Sequence, residues 1–214
     1  MPGEGEGDGT MSFFENARRP EGLGGKLMVN VMNVGHRSLA AWGMEMLPLP
    51  PAGAVLDCGC GGGANIRALL ERCPGSTVRG VDLSPVSVEK ARRVNAGAIG
   101  SGRCEILQAG ADRLPFADGS FALVTAFETV YFWPELEDCF REIARVLVPG
   151  GYFFICNECG GDSPQGAAWA KAVEGMKVYP TAQLRETLSA AGFRTEGEKT
   201  NRKGWVALLA QKEG

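Results

Sequence analysis

Beyond Pro51, short apolar runs alternate with longer stretches in which apolar residues recur at helical spacing. The short runs are rich in branched and aromatic residues and predict seven strands: Ala54–Asp57, Thr77–Val81, Cys104–Gln108, Phe121–Phe127, Tyr152–Cys156, Phe193–Lys199 and Trp205–Ala210. The longer stretches predict helices near Asn65–Arg72, Pro85–Ala96, Pro134–Val148 and Thr181–Ala191. This alternation is typical of a parallel sheet with helices on both faces.

The last two predicted strands are joined only by Thr200–Gly204, so they should pair as an antiparallel hairpin. We therefore predict a doubly wound, Rossmann-like α/β domain over residues 51–214, with a mostly parallel seven-stranded sheet. Residues 13–50 predict an N-terminal helical cap, because apolar residues there fall on one helical stripe. Residues 1–12 consist mainly of glycine and acids, a composition that predicts a disordered tail.

Composition and charge narrow the classes of partner. A chain of 214 residues with 44% hydrophobic content is enough for one sizeable core. Lys and Arg number 22 against 25 for Asp and Glu, so no basic excess favours a nucleic-acid substrate. No stretch approaches the roughly 20 apolar residues that cross a bilayer, and the N-terminus lacks the features of a signal peptide. We expect no membrane association and a cytoplasmic location.

The seven cysteines are scattered along the chain, an odd number without a disulfide framework. We expect reduced thiols that fill the core as small apolar residues. The pairs Cys58/Cys60 and Cys156/Cys159 do not have the spacing of a zinc site, although soft-metal or thiol chemistry at the second pair remains an alternative. His36 is the only histidine, which excludes a site with several histidines, and we predict no metal centre.

Candidate chemistry is concentrated in the first strand-to-helix turn, VLDCGCGGGANI (residues 55–66). Glycines there allow a ligand to approach the backbone. Gly59, Gly61 and Ala64 also fit the G-x-G-x-x-A pattern of nicotinamide dinucleotide sites. Asp57, however, precedes the first glycine and would repel a pyrophosphate, so it favours a cationic ligand.

The second predicted strand ends in GVDLSP (residues 80–85). Asp82 lies at its tip, about 20 residues beyond the glycines, where an acid can accept hydrogen bonds from both ribose hydroxyls of an adenosine cofactor. Ser84 fits the N-cap of the next helix, with Pro85 in its first turn.

Four segments, in this order and spacing, resemble the class I S-adenosylmethionine-dependent methyltransferases, within the small-molecule branch related to the ubiquinone and menaquinone C-methyltransferases: VLDCGCGGG, GVDLSPVSVEKAR, LPFADGSFALV (residues 114–124) and RVLVPGGYFFI (residues 145–155). The resemblance covers roughly residues 52–160. Residues 25–43 also resemble a helical cap found in one bacterial subgroup of uncertain substrate. The resemblance implies methyl transfer from S-adenosyl-L-methionine, a cationic cofactor without phosphate, to a small molecule by in-line displacement.

The resemblance also implies which residues hold the cofactor. The methionine part is assigned to Asp57, to the backbone of Gly59, Cys60 and Gly61, and to the neighbouring Phe127. Asp82 is assigned to the ribose, and Leu83 is assigned to packing on the adenine. Many relatives have Gly-Asp-Ala where this chain has residues 109–111, Ala-Gly-Ala. The adenine amino group is therefore assigned either to Asp112 or to the backbone of Ala111.

The segment TAFETVYFWP (residues 125–134) occupies the position between cofactor and acceptor in the family. The resemblance gives Glu128, Tyr131 and Trp133 as acceptor-facing residues, with the alternative that Phe132 and Trp133 are core aromatics under the next helix. If the acceptor must lose a proton, His36, Tyr131, Glu128 or Glu158 could accept it. The sequence names neither the acceptor nor an oligomeric state.

Two other functions remain open at the level of sequence. The glycine pattern is compatible with an NAD(P)-dependent oxidoreductase, although no hydride-transfer residues are evident. Intact Asp57 and Asp82 are also compatible with a protein that binds an adenosyl cofactor without turnover.

Overall fold

The computed structural model describes residues 37–50, 52–173 and 175–214. The helices of these ranges are α1 Arg37–Met44, α2 Ala64–Arg72, α3 Pro85–Val94, α4 Ala96–Gly100, α5 Leu136–Val146, α6 Pro164–Ala172 and α7 Thr181–Ala190. The strands are β1 Gly53–Cys58, β2 Ser76–Asp82, β3 Cys104–Gln108, β4 Phe121–Phe127, β5 Leu147–Asn157, β6 Phe193–Thr200 and β7 Val206–Lys212. One 3₁₀ turn, Val130–Phe132, follows β4.

Within the described residues the strands form one sheet in the order β3-β2-β1-β4-β5-β7-β6. Neighbours among β1 to β5 pair in parallel, whereas β7 runs antiparallel to both β5 and β6. The chain reverses its direction of travel across the sheet between β1 and β4, and such a switch point opens a crevice at the carboxyl ends of the strands. The predicted doubly wound fold with a terminal hairpin is confirmed.

Helices cover both faces of the sheet. Apolar residues of α1, α2 and α3 pack on one face with Val55 and Leu123. Those of α5 and α7 pack on the other face with Leu56 and Val124. Because side chains alternate along a strand, Asp57 points to the same face as Val55, beneath α1 and α2.

Three predicted boundaries were wrong in detail. The helix predicted for Pro85–Ala96 ends at Val94. The side-chain amide of Asn95 donates to the carbonyl oxygens of Gly63 and Ala91, and a separate helix, α4, begins at Ala96. Helix α5 begins and ends two residues inside the predicted Pro134–Val148. Strand β5 begins at Leu147, which pairs with Phe121 before a register shift at the following turn.

Helix α6 was missed, because the sequence between Asn157 and Pro180 was interpreted as one long connection. A start signal was present: Ser163 accepts a hydrogen bond from the Gly166 amide, and Pro164 occupies the first turn. No helix of the described ranges is long and apolar enough to cross a membrane.

Helix α1 is the described part of the predicted cap, and it packs tightly on β5. A Cβ on Gly43 would lie 2.6 Å from Cys156 Sγ, so only glycine permits this approach. The Arg72 guanidinium donates to the Met44 carbonyl at 3.1 Å and ties α1 to α2. Residues 13–36 of the predicted cap, which include His36, and the predicted tail lie outside the described residues.

Candidate active site

The glycine turn after β1 is anchored on the end of β2. The amides of Gly59 and Cys60 both donate to the Val81 carbonyl, at 2.8 and 2.9 Å. The Gly61 amide donates to Asp82 Oδ2 at 2.8 Å. These three hydrogen bonds, all donated by main-chain amides of the turn, hold the turn above the switch point.

Two glycines of the turn are required for different reasons. Gly59 has φ +77°, and a Cβ there would lie 2.0 Å from Thr129 Oγ1. Gly61 has φ +51°, and a Cβ there would meet no atom within 4 Å. Gly59 therefore allows the turn to pack on β4, whereas Gly61 keeps an open surface free of side chains.

Asp57 lies behind this turn and is only 1% exposed. The Thr125 hydroxyl donates to Asp57 Oδ1 at 2.8 Å, and Oδ2 has no hydrogen-bond partner. Burial raises the pKa of Asp57 to about 7, although the Thr125 hydrogen bond opposes this shift. A buried, unpartnered carboxyl oxygen is costly unless a ligand satisfies it.

Asp82 ends β2 with both oxygens engaged by main chain. Oδ1 accepts from the Ser84 amide at 2.9 Å, and Oδ2 accepts from Gly61. Each oxygen retains capacity for a further donor. Burial raises the pKa of Asp82, and the hydrogen bonds from Ser84 and Gly61 oppose that shift. The predicted N-cap role of Ser84 is confirmed, since its Oγ accepts from the Ser87 amide.

A cleft of about 1040 Å³ lies over these carboxyl ends. Ten of the predicted site residues line it: Gly59, Cys60, Gly61, Asp82, Leu83, Ala111, Asp112, Phe127, Glu128 and Trp133. Among the described residues, Asp57, Tyr131 and Glu158 do not line it. Most of the predicted residues therefore come together in one place.

The far end of the cleft has an apolar surface. Leu83 is 50% exposed there. Ala111 lies across from it, and the Asp112 carboxylate folds back over Gly110, where a Cβ would lie 2.4 Å from Asp112 Oδ1. Asp112 is itself exposed to solvent.

Glu128 follows β4 at the other end of the cleft. Its φ is +58°, the one positive value among the non-glycine residues that the structure describes. Its carboxylate accepts from the Glu158 amide, and its own amide donates to the Cys156 carbonyl at 2.9 Å. Burial raises the pKa of Glu128 to about 8, and the Glu158 charge adds to the shift. Strained backbone of this kind is concentrated at functional sites.

Tyr131 lies behind Glu128 and is 2% exposed. Its hydroxyl lies 3.4 Å from Glu128 Oε1 and 3.2 Å from the Cys159 carbonyl oxygen, either of which can accept its single proton. The Cys159 amide donates to the same hydroxyl at 3.2 Å. Burial raises the pKa of Tyr131, so the phenol stays neutral. The Tyr131 hydroxyl thus contacts both Glu128 and the chain after β5. Tyr131 was predicted to face the acceptor, but it lies behind Glu128 and does not line the cleft.

Trp133 is mainly a core residue. Its ring stacks on Phe153 at 6.2 Å and meets Phe140 edge-on. Its indole nitrogen donates to Thr129 Oγ1 at 3.2 Å, and only 6% of the residue is exposed. The core alternative considered for Trp133 thus describes most of its surface, and only an edge reaches the cleft.

All seven cysteines are free and buried, as predicted. Burial raises the pKa of Cys58 and Cys60 well above the usual range, so both thiols stay protonated. Cys156 packs against the Leu39 carbonyl and Cys159 against Tyr131. The described residues contain no cluster of histidine, cysteine or acidic side chains that could bind a metal ion.

Two residues at the site were missed from the sequence, Thr125 and Thr129. Thr125 donates to Asp57, which lies 68 residues earlier in the chain, whereas Thr129 accepts from the nearby Trp133 and lies against Gly59. A signal existed for Thr125, a single hydroxyl inside the apolar strand Phe121–Phe127.

Residues 56–155 match a protein-family model described as "Methyltransferase domain". The match covers slightly less than half of the 214 residues. The matched residues include the glycine turn from Leu56 onwards, the end of β2, and β4 with the following Glu128.

The chain is also similar to curated proteins that are named as methyltransferases. The chain is similar to Methyltransferase GfsG of Streptomyces halstedii, 36% identical over 66% of this chain and 50% of that protein. It is 30% identical to Cycloartenol-C-24-methyltransferase of Arabidopsis thaliana over 72% of this chain and 48% of that protein. The chain thus spans about half the length of these relatives.

The fold also matches a solved structure. A putative methyltransferase in complex with the Haloferax volcanii activator Trm112 superimposes with a TM-score of 0.79. The match covers 87% of this chain and 94% of that one at 22% identity, which supports the doubly wound fold.

Proposed function

We propose that this protein transfers a methyl group from S-adenosyl-L-methionine to a small-molecule acceptor. The observation that carries the proposal is the buried Asp57 carboxyl, whose Oδ2 has no partner, behind a glycine turn with an open surface at Gly61. A positively charged amino group completes such a site, because it satisfies the oxygen and favours the ionised acid.

The remaining cleft residues fit the rest of this cofactor. The Asp82 oxygens retain capacity for two ribose hydroxyls, and exposed Leu83 offers an apolar surface to the adenine. Asp112, or the backbone of Ala111, is near enough to that surface to serve the adenine amino group. When bound, the cofactor supplies a methyl group on a sulfonium, which leaves as a neutral thioether.

Apolar residues that line the cleft with Glu128 favour a largely apolar acceptor: Phe127, Phe132, and Ala40, Ala41 and Met44 of α1. Glu128 presents a carboxyl with a raised pKa among them, and such a group is suited to accept a proton near neutral pH. In this proposal Glu128 takes the proton of the acceptor, and Tyr131 and the Glu158 amide hold Glu128 in place. Contact and alignment contribute most of the rate enhancement, on the order of 7–11 kcal/mol.

An NAD(P)-dependent oxidoreductase is less well supported. A diphosphate above the turn would meet the Asp57 carboxyl, and the relatives reported above are methyltransferases. The narrower kinship with ubiquinone and menaquinone C-methyltransferases, and a cytoplasmic location, stay predictions from the sequence.

Calorimetry and methyl transfer together test the proposal. We expect the full chain to bind S-adenosylmethionine and S-adenosylhomocysteine but not NAD, and to release labelled methyl groups onto at least one compound of a panel of apolar phenols, amines and activated carbon acids. Binding of NAD in their place would overturn the cofactor assignment. Binding without transfer to any acceptor would favour the non-catalytic alternative.

A further inference from the structure

Thr125 is a buried hydroxyl in the centre of β4 that the mechanism above does not use. It is fully buried, and it lies opposite Asp57 in the register between β1 and β4. Its Oγ1 is 2.8 Å from Asp57 Oδ1 and 3.4 Å from the Leu56 carbonyl oxygen. Since the hydroxyl has one proton, the shorter contact identifies Asp57 as its acceptor.

A valine would have nearly the same shape as Thr125 and would suit this apolar strand. Burying a hydroxyl costs free energy that only its hydrogen bond offsets, so the strand gains no core packing from threonine. The branched side chain is also stiff about χ1, so the hydroxyl has a fixed direction. Its effect is to occupy one oxygen of Asp57 and to fix the plane of the carboxyl group.

We propose that Thr125 is a positioning residue for cofactor binding: it holds Asp57 so that Oδ2 is the oxygen left for the cofactor ammonium, and it favours the ionised form of Asp57 on which binding depends. This inference rests on the function proposed above. Its distinct content is that a residue outside the glycine turn sets both the geometry and the charge of the acid behind it.

The surroundings of Asp57 oppose its ionisation. The buried thiols of Cys58 and Cys60 and the Asp82 carboxyl are its charged or titratable neighbours on β1, the turn and β2, while Glu128 and Arg37 border the same cleft from β4 and α1. Burial and Asp82 raise the pKa of Asp57 and Thr125 lowers it, to about 7. If the ligand binds the ionised form, affinity increases about tenfold between pH 6 and pH 8.

Calorimetric titration of S-adenosylhomocysteine between pH 6 and pH 9 tests the inference without turnover. Thr125→Val removes the donor and raises the pKa of Asp57 further, so we expect about tenfold weaker binding than wild type at pH 6 to 7. The deficit should narrow towards pH 9, where Asp57 ionises in both proteins. Protonation of the ligand affects both proteins equally, so it cancels in the ratio of their affinities at each pH. Thr125→Ser keeps the donor and should follow wild type.

Two further variants separate positioning from general damage. Thr77→Val removes a hydroxyl from β2, opposite Ala54, and should leave binding unchanged at every pH. In Asp57→Asn, binding should lose its pH dependence between pH 6 and pH 8, and Thr125→Val should then add no further loss. If Thr125→Val does not fold, the comparison of wild type with Asp57→Asn still decides whether ionisation of Asp57 is linked to binding.

A deficit of Thr125→Val that is the same at every pH, or wild-type binding without pH dependence, would overturn the inference while leaving the proposed function intact. Failure of the wild-type chain to bind at any pH would overturn the proposed function itself.

Discussion

Two carboxyl groups, the buried Asp57 and the partly buried Glu128, lie at the carboxyl ends of neighbouring strands, and they are held in opposite ways. Asp57 ends an extended strand and has one oxygen bonded to a neutral hydroxyl and one without a partner. Glu128 sits on a left-handed backbone and accepts a main-chain N–H from beyond β5. Burial is the main cause of the raised pKa of both groups, to about 7 and about 8 respectively.

The difference separates two parts of one cleft. Asp57 uses a position that any parallel strand offers at its carboxyl end, and the neighbouring turn adds backbone without side chains. Glu128 itself has a strained backbone, and its conformation is fixed by contacts with β5 and Tyr131. We infer that the first group serves binding of a common cofactor and the second serves the chemistry of a particular acceptor.

The largest expected effect comes from Glu128→Gln, which separates these two roles. Loss of the proton acceptor should lower kcat by about 10²–10⁴-fold. Cofactor affinity should stay within about threefold of wild type, because Glu128 is assigned to the acceptor. In wild type kcat/KM should increase with pH through about 8, since the ionised carboxylate is the active form, and the variant should lack this increase.

Glu89→Gln is the matched control, because Glu89 is an exposed acid of α3 that pairs with Arg93. It should leave both kcat and affinity unchanged. A Glu128→Gln enzyme that turns over normally, or that loses cofactor affinity as strongly as Asp57→Asn, would remove the distinction between the two carboxyls.

Gly61→Ala should produce the next largest effect, confined to the cofactor half. Gly61 and Gly102 both have positive φ, and a Cβ on either would meet no atom within 4 Å. Each alanine should therefore cost a similar 1–2 kcal/mol, roughly, in stability. Only the Cβ at Gly61 enters the cleft, so Gly61→Ala should weaken S-adenosylhomocysteine binding at least about tenfold, or 1.4 kcal/mol.

Urea unfolding and calorimetry on the two glycine variants give both quantities. Gly102→Ala should bind like wild type despite its lower stability. Equal affinities for the two variants would mean that the surface at Gly61 does not contact the cofactor, and the fit proposed for the turn would be wrong.

The cofactor half was predictable from the sequence because its geometry is local. Gly59, Gly61 and Asp82 lie where strands end and turns begin, and turns can be predicted from patterns of a few neighbouring residues. The cleft contains these three residues, as expected. Asp57 was assigned to the same ligand from its charge alone, and the structure adds its burial and its unpartnered oxygen.

The acceptor half was less predictable because its geometry depends on distant contacts. The 3₁₀ turn after β4 directs Tyr131 toward Cys159, which lies 28 residues along the chain. The positive φ of Glu128 depends on hydrogen-bond partners at the end of β5, and no pattern in the neighbouring sequence predicts it. Thr125 looked like one more strand residue until the register brought it opposite Asp57.

The smallest expected effect concerns stability against pH, and it tests whether the two carboxyls titrate in different windows. The pKa values of both groups are raised from the usual 3.8 and 4.5, so the folded protein holds each proton more tightly than the unfolded chain does. Their stabilising contributions are complete below pH 4 and are lost as pH increases through about 7 for Asp57 and about 8 for Glu128.

Between pH 7 and pH 8 the Glu128 contribution should decline by about 1 kcal/mol and that of Asp57 by about 0.4 kcal/mol. Urea unfolding of wild type, Asp57→Asn and Glu128→Gln at these two pH values measures the difference, and contributions from other groups cancel between variants. Glu128→Gln should lose less stability over this interval than Asp57→Asn does. The reverse order would mean that the acid behind the glycine turn, and not the one beside the acceptor, has the higher pKa, and the assignment of Glu128 as proton acceptor would fail with it.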